Sequence, residues 1–161
     1  MIIFLDTSAW IKYFFEEGGT SEIQNFIVEK SSSEENAFAA SAVTYAEMKA
    51  TFKRALNSKR ITEQEFRQIK DEFETQWQNV DIPLIDKALI EKSGELAEQY
   101  ALKGCDAFQL SSALAIEANI FVNSDDELTA VAKANQLVVW NPAEGEFIDI
   151  STNDKETPNE I

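Results

Sequence analysis

Residues 2 to 5 (Ile-Ile-Phe-Leu) form an unbroken apolar run that stops at polar Asp6-Thr7-Ser8. A short run without alternation reads as a strand buried on both faces, as in parallel sheets, and its carboxyl end delivers Asp6. Ala9 to Phe15 then reads as a helix ended by Gly18-Gly19. Thr20 to Lys30 is a second amphipathic helix, with Ile23, Phe26 and Ile27 spaced i, i+3, i+4. A polar loop, residues 31 to 36, leads to a short strand at Ala37 to Ala40.

The next stretch is strongly helical. Thr44 with Glu47 spells a capping box ahead of Lys49, Phe52 and Leu56, and Thr62 with Glu65 repeats it ahead of Phe66, Ile69, Phe73 and Trp77. Most of these apolar residues are expected in the core. Asn79 to Leu84 is a connector or short strand, and Pro83 bars it from a central paired position. Lys87 to Leu102 is helical, with Lys103-Gly104 as its stop. Asp106 opens a helix that carries Phe108, Leu110, Ala113, Leu114 and Ile116 on its apolar face.

Ile120-Phe121-Val122 is a second buried strand, followed by Asn123-Ser124-Asp125-Asp126, a helix over Glu127 to Asn135, and a strand at Leu137 to Trp140. From Ser151 onward the chain is almost wholly polar, which predicts a disordered tail over 151–161 behind one domain over 1–150. Short apolar strands alternating with helices predict an α/β fold with a mainly parallel sheet flanked by helices. Such sheets bind ligands beyond the carboxyl ends of their strands, so Asp6 and the 123–126 turn are expected to be neighbours.

Composition narrows the chemistry. The 161 residues are 44% hydrophobic and 27% charged, an ordinary mixture for one globular domain that needs no staple. A single cysteine, Cys105, excludes an internal disulfide and fits a reducing cytoplasm. Nothing approaches the roughly 18 apolar residues of a membrane span, and the first residues lack the basic flank of a signal peptide. The absence of histidine removes imidazole bases, Ser-His-Asp and Cys-His triads and His-ligated zinc. A net charge of −15 repels nucleic acid unless a local basic patch or bound cations intervene.

Four acids stand out by position: Asp6 ends the first strand, Glu47 lies in the first turn of a helix, Asp106 starts a helix, and Asp125 joins a strand to a helix. Carboxylates crowded into one cleft repel, and either raised pKa values or divalent cations relieve the repulsion. Oxygen donors alone point to Mg²⁺ or Mn²⁺ rather than zinc. A capping explanation competes for three of them, since helix N-termini stabilise carboxylates. Asp6, directly after a buried strand, has no evident capping need.

Four motifs add to this. Ile3-Phe4-Leu5-Asp6-Thr7-Ser8, Ala42-Val43-Thr44-Tyr45-Ala46-Glu47, Asp106 to Leu114 (DAFQLSSAL) and Phe121 to Leu128 (FVNSDDEL) stand in this order. They resemble the motifs of PIN-domain nucleases, particularly VapC-type toxins of bacterial toxin–antitoxin pairs, over about residues 1 to 140. The resemblance implies a Mg²⁺- or Mn²⁺-dependent endoribonuclease whose products carry a 5′-phosphate and a 3′-hydroxyl. Asp6, Glu47, Asp106 and Asp125 would be its catalytic and metal-holding residues, directly or through water. Thr7 and Ser8 would orient Asp6 by hydrogen bonding, unless they are ordinary helix caps. Asn123 stands where many relatives have Thr or Ser, and its amide can still donate to a phosphate or ligand. Asp126 competes with Asp125 for the fourth place, and motif register favours Asp125. Cys105 reads as a small helix-start residue rather than a nucleophile.

Positive charge is concentrated. Lys49, Lys53, Arg54, Lys59, Arg60, Arg67 and Lys70 are seven of the 14 cations, within 22 residues whose only acids are Glu63 and Glu65. This island suits an RNA backbone, with Lys49, Lys53 and Arg54 nearest the second motif, or it is simply a solvated helical hairpin. The resemblance further implies a homodimer and a cognate antitoxin protein. A haloacid-dehalogenase-type phosphotransferase would need a second Asp where Ser8 stands, and a receiver domain would need paired acids at the first strand end. A catalytically weak PIN-like module that binds RNA or protein is the remaining alternative.

Overall fold

The computed structural model describes residues 1–149. The expected tail at 151–161 lies outside the described residues. Five strands, β1 (Ile2–Leu5), β2 (Ala37–Ala39), β3 (Val80–Asp81), β4 (Ile120–Val122) and β5 (Val139–Trp140), form one sheet in the order β3-β2-β1-β4-β5. Every neighbouring pair is parallel. The helices are α1 (Thr7–Phe14), α2 (Thr20–Ser31), α3 (Ala42–Asn57), α4 (Glu63–Trp77), α5 (Lys87–Tyr100), α6 (Gly104–Ala115) and α7 (Asp126–Ala134). A 3₁₀ turn, Pro142–Glu144, follows β5.

The unbroken apolar strands are explained by cover on both faces. Ile3, Leu5, Ile120 and Val122 point into one core, shared with Trp10, Phe52 and Phe73. Phe4 and Phe121 point into the other, with Leu96, Leu110 and Leu128. Period-two alternation therefore sorts one hydrophobic run into two layers. Pro83 lies just beyond β3, which is an edge strand as expected.

Trp10 ties α1 to α4: its indole donates to Gln76 Oε1 at 2.9 Å, and its ring meets Phe73 and Trp77. The Thr62–Glu65 capping box forms as predicted. The Thr44–Glu47 box does not. Helix α3 begins three residues earlier, with Ser41 as its N-cap, so Thr44 is already a buried helical residue. Helix α6 likewise begins at Gly104, which puts Asp106 at the third position of its first turn. The left-handed residue that closes α5 is Ala101 (φ 55°), not Gly104.

Asp6 also differs from expectation, since it is the N-cap of α1 and accepts from the Ser8 N–H. Gly19 does not end α1, which stops at Phe14. It starts α2 at φ 95°, and a Cβ there would lie 2.7 Å from the backbone of Pro142 and Ala143.

Candidate active site

The strand order reverses direction between β1 and β4, the place where open parallel sheets form a crevice at their carboxyl edge. Asp6 follows β1 there and Asp125 follows β4. Helix α3 carries Glu47 away from the same edge, and α6 begins at it with Asp106. A cleft of about 520 Å³ opens at this point, and Asp6, Glu47, Asp106 and Asp125 all line it, with Thr7, Ser8 and Arg54. Asp126, the competitor for the fourth place, is exposed and is not among the lining residues.

The acids feel one another. Burial, opposed by the hydrogen bonds from Ser8 and reinforced by the negative charges of Glu47 and Asp106, lifts the Asp6 carboxyl to about 7. Burial also raises Asp106, with Asp125, Glu47 and Glu127 adding to the effect and Lys103 opposing it.

Each carboxylate is held by its own partners. Asp6 Oδ2 accepts from the Ser8 N–H at 2.8 Å and from the Ser8 hydroxyl at 2.5 Å. Glu47 Oε2 accepts from the Thr7 hydroxyl at 2.6 Å and from the Gln109 amide at 2.9 Å. Thr7 therefore orients Glu47, while Ser8 orients Asp6. Asp125 Oδ1 caps α7 through the Leu128 N–H.

Asn123 is fully buried, and both donors of its amide are used inside the turn, on the Asp125 carbonyl and the Thr129 hydroxyl at 2.7 Å each. Its oxygen lies 2.9 Å from Ser8 Oγ. Asn123 thus braces the loop that carries Asp125 and has no donor left for a ligand.

Among the described residues, no three Cys, Asp or Glu side chains are grouped tightly enough to hold an ion between them as they stand. The four acids are instead spread around the wall of the cleft. As a donor set they fit a hard divalent cation: carboxylate and hydroxyl oxygens, mutual repulsion that a cation relieves, and room for water.

The basic residues divide. Arg54 lines the cleft and bonds the Thr51 hydroxyl at 2.8 Å. Lys53 is exposed on the same helix, over the ring of Phe66. Lys49 points elsewhere, paired with Glu74 and lying over the Tyr45 ring. Burial lowers its pKa, but the bond and charge of Glu74 outweigh that and raise it. Cys105 is exposed, and desolvation followed by the charge of Glu47 pushes its thiol up, the opposite of an activated nucleophile.

Two residues to which the sequence assigns no role at the site take part in it: Gln109, and Thr44, expected only as a helix cap; both are buried and bonded to each other. The available signal was Gln109 itself, a polar residue amid the apolar positions of the DAFQLSSAL segment.

The sequence matches the family model described as PIN domain over residues 3–134. The chain belongs to the PIN domain family. Curated protein sequences yield no match. Among solved structures, this PIN domain is similar to a chain of VapBC2 from Rickettsia felis bound to a DNA fragment from their promoter. Identity there is 18%, coverage is 88% of this chain and 98% of that one, and the TM-score is 0.62. VapBC-1 from nontypeable Haemophilus influenzae gives 18% identity, 88% and 98% coverage and a TM-score of 0.60. FitAcB from Neisseria gonorrhoeae gives 15%, 87% and 97%, and 0.59. At such identities the likeness is one of fold.

Proposed function

We propose that this PIN domain is a Mg²⁺- or Mn²⁺-dependent endoribonuclease, the toxin of a toxin–antitoxin pair, acting in the cytoplasm and leaving 5′-phosphate and 3′-hydroxyl ends. The observation that carries the reading is the convergence of Asp6, Glu47, Asp106 and Asp125 on one cleft in a chain without histidine. These four residues would hold the ion, some through water. When bound, a divalent ion acidifies water into a nucleophile and offsets the charge that develops on the phosphoryl oxygens.

The remaining work falls to the chain's own side chains. Ser8 holds Asp6, Thr7 and Gln109 hold Glu47, and Asn123 holds the loop of Asp125. Arg54, at the cleft, is the cation for the scissile phosphate, with exposed Lys53 extending the track along α3. Such phosphate contacts give affinity without sequence choice.

The partners this reading carries are an RNA substrate, an antitoxin protein and a second copy of the chain. An antitoxin is supported by the VapBC and FitAcB neighbours, and dimerisation by the exposed apolar side chains of Leu84, Ile85 and Ile90. No helix among the described residues is long and apolar enough to cross a membrane.

The test is incubation of labelled structured RNAs with antitoxin-free protein in Mn²⁺ or Mg²⁺, beside an EDTA control and Asp106→Asn. Metal-dependent internal cuts with 5′-phosphates, absent in both controls, are expected. RNA binding with no cleavage in either metal would instead favour the binding-module alternative.

A further inference from the structure

We infer that Gln109 is the positioning residue for Glu47, selecting which carboxylate oxygen the cleft receives, an inference that rests on the metal-nuclease reading. Gln109 lies one helical turn beyond Asp106 on α6 and is 1% exposed. Its Nε2 is 2.9 Å from Glu47 Oε2, 2.8 Å from Thr7 Oγ1 and 2.9 Å from Thr44 Oγ1. The Thr7 hydroxyl is 2.6 Å from the same Glu47 oxygen.

The protons can be assigned. An ionised carboxylate only accepts, so the Thr7 hydroxyl donates to Glu47 and its lone pairs face the Gln109 amide. The two N–H bonds of the amide diverge, so one proton goes to the Thr44 hydroxyl and the other is shared between Glu47 Oε2 and the Thr7 hydroxyl, which lie together on its other side. The same Thr44 hydroxyl lies 3.2 Å from Gln109 Oε1, so it flanks the amide and fixes its plane. Reversing the amide would set Oε1 against the Glu47 carboxylate and lose both donations, so the network runs in one direction.

Two donors, one of them a buried amide, converge on Oε2, and both bonds are charge-assisted. The Oε1 oxygen takes no part in these bonds, and the Cys105 thiol lies against the same carboxylate. The network also joins α1, α3 and α6, so the helix that carries Asp106 is keyed to the side chain of Glu47. A glutamate on an isolated helix would sample several rotamers, whereas this one is held in a single pose before any ligand arrives.

Two readouts test the inference on the full-length protein. The first, recorded with EDTA, follows the Gln109 side-chain amide resonances by NMR. Slow exchange with solvent in the wild type and a clear shift on Glu47→Ala are expected, and an amide indifferent to Glu47→Ala overturns the inference.

The second is calorimetric Mn²⁺ affinity. Gln109→Met is expected to weaken it about tenfold, the usual scale for groups that orient a ligand side chain. In a Glu47→Ala background the same change should cost nothing further. Thr44→Val, which removes only the hydroxyl that orients the amide, is the milder variant and should weaken Mn²⁺ binding by a smaller factor. Unchanged affinity in both variants, or an equal loss with and without Glu47, overturns the positioning role. A wild type that shows the amide shift but binds no Mn²⁺ overturns the metal reading alone and leaves the Gln109–Glu47 contact standing.

Discussion

The Asp6 N–H donates to the Val122 carbonyl at 3.0 Å, extending the pairing of β1 with β4 by one residue. The backbone of the most buried site acid is thereby part of the sheet ladder, three residues before Asp125 on the partner strand's exit. The position of Asp6 is fixed by strand pairing, and only its side chain has freedom. That freedom is small, since two bonds from Ser8 hold Oδ2.

Burial of Asp6 carries a cost that should be measurable. Its carboxyl titrates near 7 in the folded chain against 3.8 in the reference state, so the folded protein binds this proton more tightly. The contribution to stability is full below the unfolded value and is lost as pH rises towards and through about 7. Asp6→Asn removes that slope. Chemical denaturation in EDTA is expected to show the variant more stable than wild type by about 2 kcal/mol at pH 7.5, with the gap closing towards pH 4.

A divalent ion should add stability that depends on the acids of the cleft. Mn²⁺ at about 100 times its dissociation constant adds roughly 2.7 kcal/mol to a protein that binds it only when folded. Thermal melts with and without Mn²⁺ are expected to rise for wild type and to stay level for Asp106→Asn. A matching rise in both proteins would mean that the ion binds elsewhere.

Arg54 and Lys49 should behave differently in RNA binding despite lying five residues apart on one helix. Arg54 is exposed at the cleft, so Arg54→Ala should weaken binding and reduce the slope of log affinity against log salt by about one. Lys49 is paired with Glu74 over Tyr45, and Lys49→Ala should leave that slope unchanged. Affinities of cleavage-deficient Asp106→Asn protein across a salt series decide the matter.

Gly19→Ala tests the packing of α2 against the 3₁₀ turn. A side chain there meets both the left-handed φ of 95° and a 2.7 Å approach to Pro142 and Ala143. Denaturation is expected to show a loss of more than about 2 kcal/mol. Because Gly19 does not line the cleft, Mn²⁺ affinity of the folded fraction should be unchanged.

Much of this was legible in the sequence because it is local. Short unbroken runs such as Ile2–Leu5 and Ile120–Val122, closed by polar residues, read as strands covered on both faces, and amphipathic spacing marks the helices between them. Helix starts were less legible. Thr44 and Glu47 have capping-box spacing, yet Ser41 begins the helix and Thr44 is drawn inside by Gln109, a partner 65 residues away. From its place after a buried strand Asp6 has no capping need, yet α1 starts at once after β1 and takes its N-cap there. The amide of Asn123 is chemically suited to a ligand, yet the β4–α7 segment consumes both of its donors.

The amino-acid sequence by itself determined the α/β alternation, the parallel character of the sheet, the PIN motifs and the four acids that reach one cleft. It could do so because each depends on periodicity or on position relative to a neighbouring element. Only the tertiary structure decided what those acids present to the cleft. Glu47 is oriented by Thr7 and Gln109, 40 and 62 residues distant, and the serine that orients Asp6 bonds Asn123 across 115 residues. Such bonds form where packed helices and strands bring donors within 3 Å of acceptors, a condition on distance in space that no spacing along the chain encodes.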